Sequence, residues 1–349
     1  MRNFDYGNLK NKKWSSDILN YVAQIYQEKG KQEAFLIKKP EQFDRLVEIA
    51  KIQSAEASNA IEGIYTTNTR LKQIINEKTT PKNRDEEEIA GYRDALNVVH
   101  ENFEYISITS NYILQLHKIL YAQNTKKAIG GHFKNIQNYI NATDSNGKSF
   151  TVFTPLAPHE TPMAIDKICE EYNKALANMD IDPLILIPIF IHDFLCIHPF
   201  LDGNGRMSRL LTTLLLYRSG FQIGKYISLE NKIAKNKDLY YDALAASQIG
   251  WHIAEDDPEP FIKYFLSIVL AGYRDFENRV DLISDKISAT EKVKLTIRKF
   301  IGKFKKMDVL EFCPTLSASS VEKSLNELVE NGDIIRHGKG KNTFYTRKD

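Results

Sequence analysis

Apolar side chains recur at helical spacing over most of the chain. Across residues 40–62, Phe43, Leu46, Ile49, Ala50 and Ile52 share a face that Ala57, Ala60 and Ile61 continue to Gly63. That pattern predicts one long helix with Glu62 at its end. The same period predicts helices over about 85–100 and 110–121. The texture then changes. Gly130-Gly131, a polar loop over 142–148 and the run Ser149-Phe150-Thr151-Val152-Phe153-Thr154, followed by Pro155 and Pro158, predict a short strand or hairpin among helices. Helical spacing resumes over 162–178, 184–197 and 204–218, the last stopped by Gly220, and again near 237–249 and from 259 to about 284.

The last 65 residues read differently. Helices are expected over 292–304, 308–312 and 319–330, with Asn331-Gly332 as the stop. Asp333-Ile334-Ile335-Arg336 and Thr343-Phe344-Tyr345-Thr346 then flank the loop His337-Gly338-Lys339-Gly340-Lys341 as a two-stranded wing. Three helices and a hairpin in this order suggest a winged helix-turn-helix. The expected organisation is an N-terminal helical region over 1–105, a helical core over 106–284 and the winged unit over 285–349, a mainly α fold. Charge follows the same division: residues 285–349 hold 14 Lys and Arg against 9 Asp and Glu, and the remainder 33 against 36.

Length and composition add bounds. A chain of 349 residues suits two or three domains, and 42% apolar with 26% charged residues is ordinary for a globular protein. A net charge of +2 points the whole chain toward neither nucleic acid nor an anionic membrane. Cys169, Cys196 and Cys313 are odd in number, far apart and without zinc-site spacing, which suggests reduced thiols in a cytoplasmic setting. No apolar run of signal-peptide length precedes Lys10, Lys12 and Lys13. The most apolar stretch, 184–200, is broken by Pro188, His192, Asp193 and His198, so it reads as a buried helix, shorter than the roughly 20 residues of a membrane span.

The stretch that carries chemistry is His198-Pro199-Phe200-Leu201-Asp202-Gly203-Asn204-Gly205-Arg206-Met207-Ser208-Arg209. It joins the end of one apolar helix to the start of another. Gly203 and Gly205 let backbone N–H groups turn toward one point where the next helix offers unpaired donors and its positive dipole end, an anion site. Arg206 and Arg209, three residues apart, are expected to reach the same side, and two guanidiniums beside such a nest suit a triphosphate. Asp202 adds a hard oxygen ligand of the kind a phosphate-bound Mg²⁺ takes. His198 is placed to accept a proton from an incoming hydroxyl. No Ser or Cys is placed for a covalent intermediate, so direct transfer from nucleotide to hydroxyl is the simpler chemistry.

These residues resemble the signature of the Fic family, H-P-F-x-[DE]-G-N-G-R-x-x-R, with every specified position filled. The resemblance implies a helical Fic core, ATP and Mg²⁺, and transfer of AMP to a Ser, Thr or Tyr hydroxyl of a protein, the chain itself included. It implies His198 as general base, Asp202 as Mg²⁺ ligand, Gly203, Asn204 and Gly205 as phosphate nest, and Arg206 and Arg209 as phosphate contacts. The run Ser149, Phe150, Thr151, Val152, Phe153 and Thr154 resembles the family's flap, a hairpin that aligns the target by strand addition. Upstream, Ser58-Asn59-Ala60-Ile61-Glu62-Gly63 resembles the family's inhibitory pattern [ST]-x-x-x-E-[GN], implying that Glu62 pairs with Arg209 and keeps ATP from the productive pose. Tyr240 and Tyr241 resemble a segment that lines the nucleotide pocket. The likeness covers roughly residues 20–275.

Other readings compete. His192-Asp193 invites a metal phosphohydrolase, but leaves Gly203 to Arg209 without a role. Residues 220–226 mimic a phosphate-binding loop that is one residue short and ends in Tyr226. The basic wing, Arg336, His337, Lys339 and Lys341, makes DNA a candidate partner for residues 285–349, although Glu322, Glu327 and Glu330 are poor material for a groove-reading helix. A regulator with a nucleotide-sensing core, and an enzyme that removes AMP, are therefore the alternatives. No membrane partner is expected, and a homo-oligomer is left open.

Overall fold

A computed structural model describes every residue except 1, 39–42, 144–146, 284–286, 299, 301, 314, 315 and 349. The fold is mainly α. In chain order the helices are α1 (Ser16–Lys38), α2 (Asp44–Ile61), α3 (Asn68–Ile75), α4 (Arg84–Asn102) and α5 (Ser110–Leu120). The hairpin β1 (Ile140–Thr143) and β2 (Ser149–Phe153) follows. Next come α6 (Thr161–Ala177), α7 (Pro183–Ile197), α8 (Asn204–Arg218), α9 (Leu229–Lys235), α10 (Lys237–Ser247) and α11 (Glu259–Ile283). The C-terminal part holds α12 (Ala289–Ile297), α13 (Lys306–Phe312), α14 (Ala318–Glu330), β3 (Ile334–His337) and β4 (Phe344–Arg347).

Helix α7 is apolar on every face apart from His192 and Asp193, and every residue from Leu184 to Ile197 is buried, as suits a central helix. It packs against α6, α8 and α11, and Leu210, Leu211, Leu214 and Leu215 of α8 close the same core. Helix α2 lies against α4 and α9 and reaches α8, which carries its C-terminal end to the start of α8. Asn83 caps α4 by accepting from the Glu86 backbone N–H, and Asp85, Glu86 and Glu87 in the first turn complement the helix dipole.

The C-terminal elements form a second apolar cluster, with Val293, Ile297, Val309, Val321, Leu325 and Tyr345 buried in it. The helix expected over 292–304 is shorter and earlier here. Ser288 caps α12 at its start, the helix ends at Ile297, and Phe304 instead exchanges backbone hydrogen bonds with Tyr345. Gly302, at φ +78, turns the chain between the two. The expected boundary at 284/285 and the start of the helix expected from residue 40 lie outside the described residues. Among the described residues, no helix is long and apolar enough to cross a membrane.

Candidate active site

The site is built where α7 ends. His198 takes the left-handed conformation (φ 51, ψ 63) that stops α7, an uncommon state for a residue with a side chain. Neighbours hold it there. The Lys134 backbone N–H donates to the Pro199 carbonyl at 2.8 Å, and Lys134 Nζ donates to the Ile197 carbonyl and to Asn138 Oδ1, each at 2.9 Å. Asn138 Nδ2 donates to the carbonyls of His198 at 3.2 Å and Phe200 at 3.0 Å. Asn204 closes the loop from the other side: its Oδ1 accepts from the Phe200 N–H and its Nδ2 donates to the Phe200 carbonyl. The His117 ring stacks on Phe200 with centroids 3.7 Å apart; its Nδ1 accepts from the Gly131 N–H, so its Nε2–H donates to the Asp202 carbonyl.

This scaffold sets the state of His198. Its Nδ1 lies 3.1 Å from the Leu195 carbonyl, an acceptor only, so Nδ1 carries the proton and Nε2 keeps a free lone pair. Loss of water around the ring, helped by the charge of Lys134, lowers the imidazole pKa to about 4 against the pull of the Leu195 carbonyl. At neutral pH the ring is an uncharged base. Lys134 is itself lowered to about 8 by burial.

Helix α8 starts at Gly203, whose φ of +83 favours glycine and whose backbone approaches the Tyr121 ring. Gly205 faces Glu62: a Cβ there would be driven into Glu62 Oε1. Asp202 accepts from the Gly203 N–H at 2.7 Å, and its carboxylate, 40% exposed, stands 3.9 Å from both Arg84 and Arg206. Among the described residues no group of three His, Cys, Asp or Glu gathers to hold a metal. A half-exposed single carboxylate beside a helix N-terminus fits Mg²⁺ of the kind held mainly by phosphates and water.

The two arginines part company. Arg206 is wholly buried, paired with Glu88 of α4 at 2.9 Å, and donates to the Tyr121 hydroxyl at 2.9 Å. Arg209 turns to α2, donating from Nε to Ser58 Oγ at 2.8 Å, and from one terminal nitrogen to the Ser58 carbonyl at 2.9 Å and Glu62 Oε1 at 2.7 Å. Burial raises the Glu62 pKa, but Arg209, with smaller help from Arg206 and Lys237, outweighs it and leaves the carboxyl below its ordinary value. Gly63, at φ +81, closes α2 just beyond.

The remaining expected residues spread around this centre. Tyr240 is buried on α10 and its pKa is raised by that burial, whereas Tyr241 is half in solvent. The hairpin pairs Ala142 with Phe150 and Thr143 with Ser149; Phe150, Thr151 and Val152 are exposed, and Phe153 turns inward onto Trp251 and His252. Thr154 accepts from His252 at its carbonyl. His192 and Asp193 are core residues: Asp193 accepts from Tyr6 and Trp251 at 2.7 and 2.6 Å. Sequence reasoning missed Arg84, Glu88, Tyr121, Lys134 and Asn138, all outside the signature, where a lone polar residue carries no mark of the loop it supports.

Comparison with known proteins matches residues 107–216 to the model described as the Fic/DOC family. A protein adenylyltransferase of Caenorhabditis elegans, fic-1, is 26% identical over 216 residues, 61% of this chain and 38% of that relative, so the chain spans well under half its length. A Fic family protein from Desulfovibrio desulfuricans superposes with a TM-score of 0.64 over 97% of both chains at 21% identity. A Fic domain-containing protein from Bacteroides thetaiotaomicron superposes with a TM-score of 0.61 over 75% of this chain and 99% of its own, at 23% identity. Residues 107–216 therefore carry a Fic/DOC family domain, set within a fold that solved Fic proteins share.

Proposed function

We propose that this protein is an auto-inhibited adenylyltransferase that moves AMP from ATP to a Ser, Thr or Tyr hydroxyl of a protein, itself included. The observation that carries the reading is the pairing of two features at one helix start. His198 is neutral with Nε2 free, and Arg209 is occupied by Glu62.

In the reaction His198 Nε2 takes the proton as the acceptor hydroxyl oxygen forms a bond to the α-phosphorus, and the bond from that phosphorus to the bridging oxygen breaks, releasing pyrophosphate. The backbone N–H groups of Asn204 and Gly205 and the positive end of α8 stabilise charge on the phosphate oxygens, while the Gly203 N–H holds the Asp202 carboxylate beside them. Asp202 would hold Mg²⁺, which when bound neutralises phosphate charge. Arg209 is the guanidinium available for the terminal phosphates once Glu62 leaves it. Arg206 serves from beneath, fixing the helix start through Glu88. Tyr240 and Tyr241 line the base side. The exposed strand β2 offers an edge for an extended target segment.

The experiment is intact mass measurement after incubation with ATP and Mg²⁺. Glu62→Gly should gain one or more AMP masses, wild type little and His198→Ala none; equal masses for all three would sink the reading. ATP, UTP and GTP tried in turn name the group transferred. Release of AMP from a modified protein tests the reverse direction. The C-terminal unit is read as a winged helix, the third domain after 1–105 and 106–284. Its α14 face, with Glu322, Glu327 and Glu330, favours a protein-facing role over groove reading; salt-sensitive, sequence-specific duplex binding by the full chain would favour the DNA-binding regulator instead.

A further inference from the structure

We infer that Lys237 is a positioning residue for inhibition: it grips the peptide unit that carries Glu62 and thereby fixes where that carboxylate meets Arg209. The inference rests on the reading of Glu62 as inhibitor. Its grounds are in how α2 ends. The closing turn uses the carbonyls of Asn59, which accepts from the Glu62 and Ile64 N–H groups, and Ala60, which accepts from Gly63. The Ile61 carbonyl takes its hydrogen bond from a separate element, Lys237 Nζ at the first residue of α10, at 2.6 Å.

The Ile61 carbonyl and the Glu62 N–H belong to one planar peptide. An ammonium bonded to that carbonyl therefore adds a tie, beside the Asn59 and Ala60 turn bonds, that holds the backbone of Glu62 in place. A cation at a helix C-terminus also meets the negative end of the dipole. The ammonium also lies 5.6 Å from the centre of the Tyr241 ring, within cation–π range. Its charge is also near enough to favour the ionised form of Glu62. The residue thus connects α10, which carries the tyrosines of the expected nucleotide pocket, to the inhibitory carboxylate. Movement of α10 would be felt at Glu62 through one hydrogen bond.

The test is self-labelling with α-labelled ATP and Mg²⁺ in the full chain, across a cycle of variants. Lys237→Met, which keeps the aliphatic stem, should raise labelling about two- to fivefold, the factor carried by one helix-end charge of ordinary strength. Lys237→Arg, which keeps charge and donor, should stay at the wild-type level. In a Glu62→Gly background Lys237→Met should add nothing, because the carboxylate it positions is gone. A lysine that merely tied α10 to α2 would lower stability in both backgrounds without raising labelling, and that result overturns the inference. So does lower labelling by Lys237→Met in both backgrounds, which would put the lysine in nucleotide binding. If Glu62→Gly itself fails to raise labelling, the reading of Glu62 falls and takes this inference with it. A rise there with a flat Lys237→Met removes only the inference about Lys237.

Discussion

Arg206 of α8 and Glu88 of α4 face each other at 2.9 Å with both side chains 2% exposed. Two arginines that the chain spacing places on one side of a helix are thereby divided: Arg206 anchors the helix start to α4, and Arg209 meets α2. A charge this deeply buried is costly to leave alone. Glu88→Ala is expected to lower unfolding stability by about 3–5 kcal/mol, measured by urea denaturation. A loss below about 1 kcal/mol would mean that water reaches the pair.

The pH dependence of labelling follows from His198. An imidazole in water titrates near 6.5, so an unperturbed base would lose activity between pH 7 and 6. Here the folded-state value is lowered to about 4 by burial. The ring stays neutral and basic until the pH falls through that range, so the Glu62→Gly protein should show no His198 limb between pH 5.5 and 8 in a rate profile. The same sign governs stability. His117, lowered to about 4 by burial, gains its proton more readily when unfolded, so stability should decline as pH drops from about 6.5 toward 4. A midpoint of activity loss near 6.5 would contradict the buried, neutral ring.

How much of this was legible in the chain depends on how local the cause was. Helix α8 falls where the pattern put it, because Gly203 before it, Gly220 after it and the leucine stripe between are all within its own segment. Helix α1 begins with Ile18, Tyr21, Val22 and Ile25 at helical spacing, but Glu28, Lys29 and Gln32 break that face, and among its described residues only Ile18, Ile25 and Gln32 are fully buried, by packing on α11, far away in sequence. Helices α3 and α9 are eight and seven residues long, too short for a period to declare itself. The helix expected to run to Phe304 stops early because Tyr345 recruits Phe304 into a backbone pair that no local window contains. At the site, the signature residues were readable and their partners were not. Nothing near Arg206 announces Glu88.

Asn138 gives a test of the loop that holds His198. It donates to two carbonyls of that loop, those of His198 and Phe200, while its own Oδ1 accepts from Lys134. Asn138→Ala removes both donors without touching the imidazole. Labelling by the Glu62→Gly protein should fall about tenfold or more, since misplacement of a base by a fraction of an ångström weakens proton transfer strongly. The accompanying stability loss should be about 1–3 kcal/mol. Unchanged labelling with the same stability loss would show that the loop holds its shape through Asn204 and Lys134 alone.

Gly205 gives a test of the Glu62 contact that needs no assay of activity. Alanine on the first turn of a helix ordinarily gains about 0.5–1 kcal/mol over glycine, because the unfolded chain loses freedom. At Gly205 the added Cβ would meet Glu62 Oε1, with Arg209 also in contact at 3.3 Å. The Glu62 carboxylate would have to shift, which weakens its pair with Arg209 and leaves the buried guanidinium leaning on Ser58. Losing a hydrogen bond to a charged group costs about 1.5–3 kcal/mol, more than the helix gain returns. Gly205→Ala should therefore destabilise the protein that keeps Glu62. In the Glu62→Gly protein the obstacle is absent, and the same substitution should be neutral or stabilising by up to about 1 kcal/mol. The sign change, read from urea midpoints in a double-mutant cycle, measures the closeness of α2 to the start of α8; equal effects in both backgrounds would place Glu62 elsewhere.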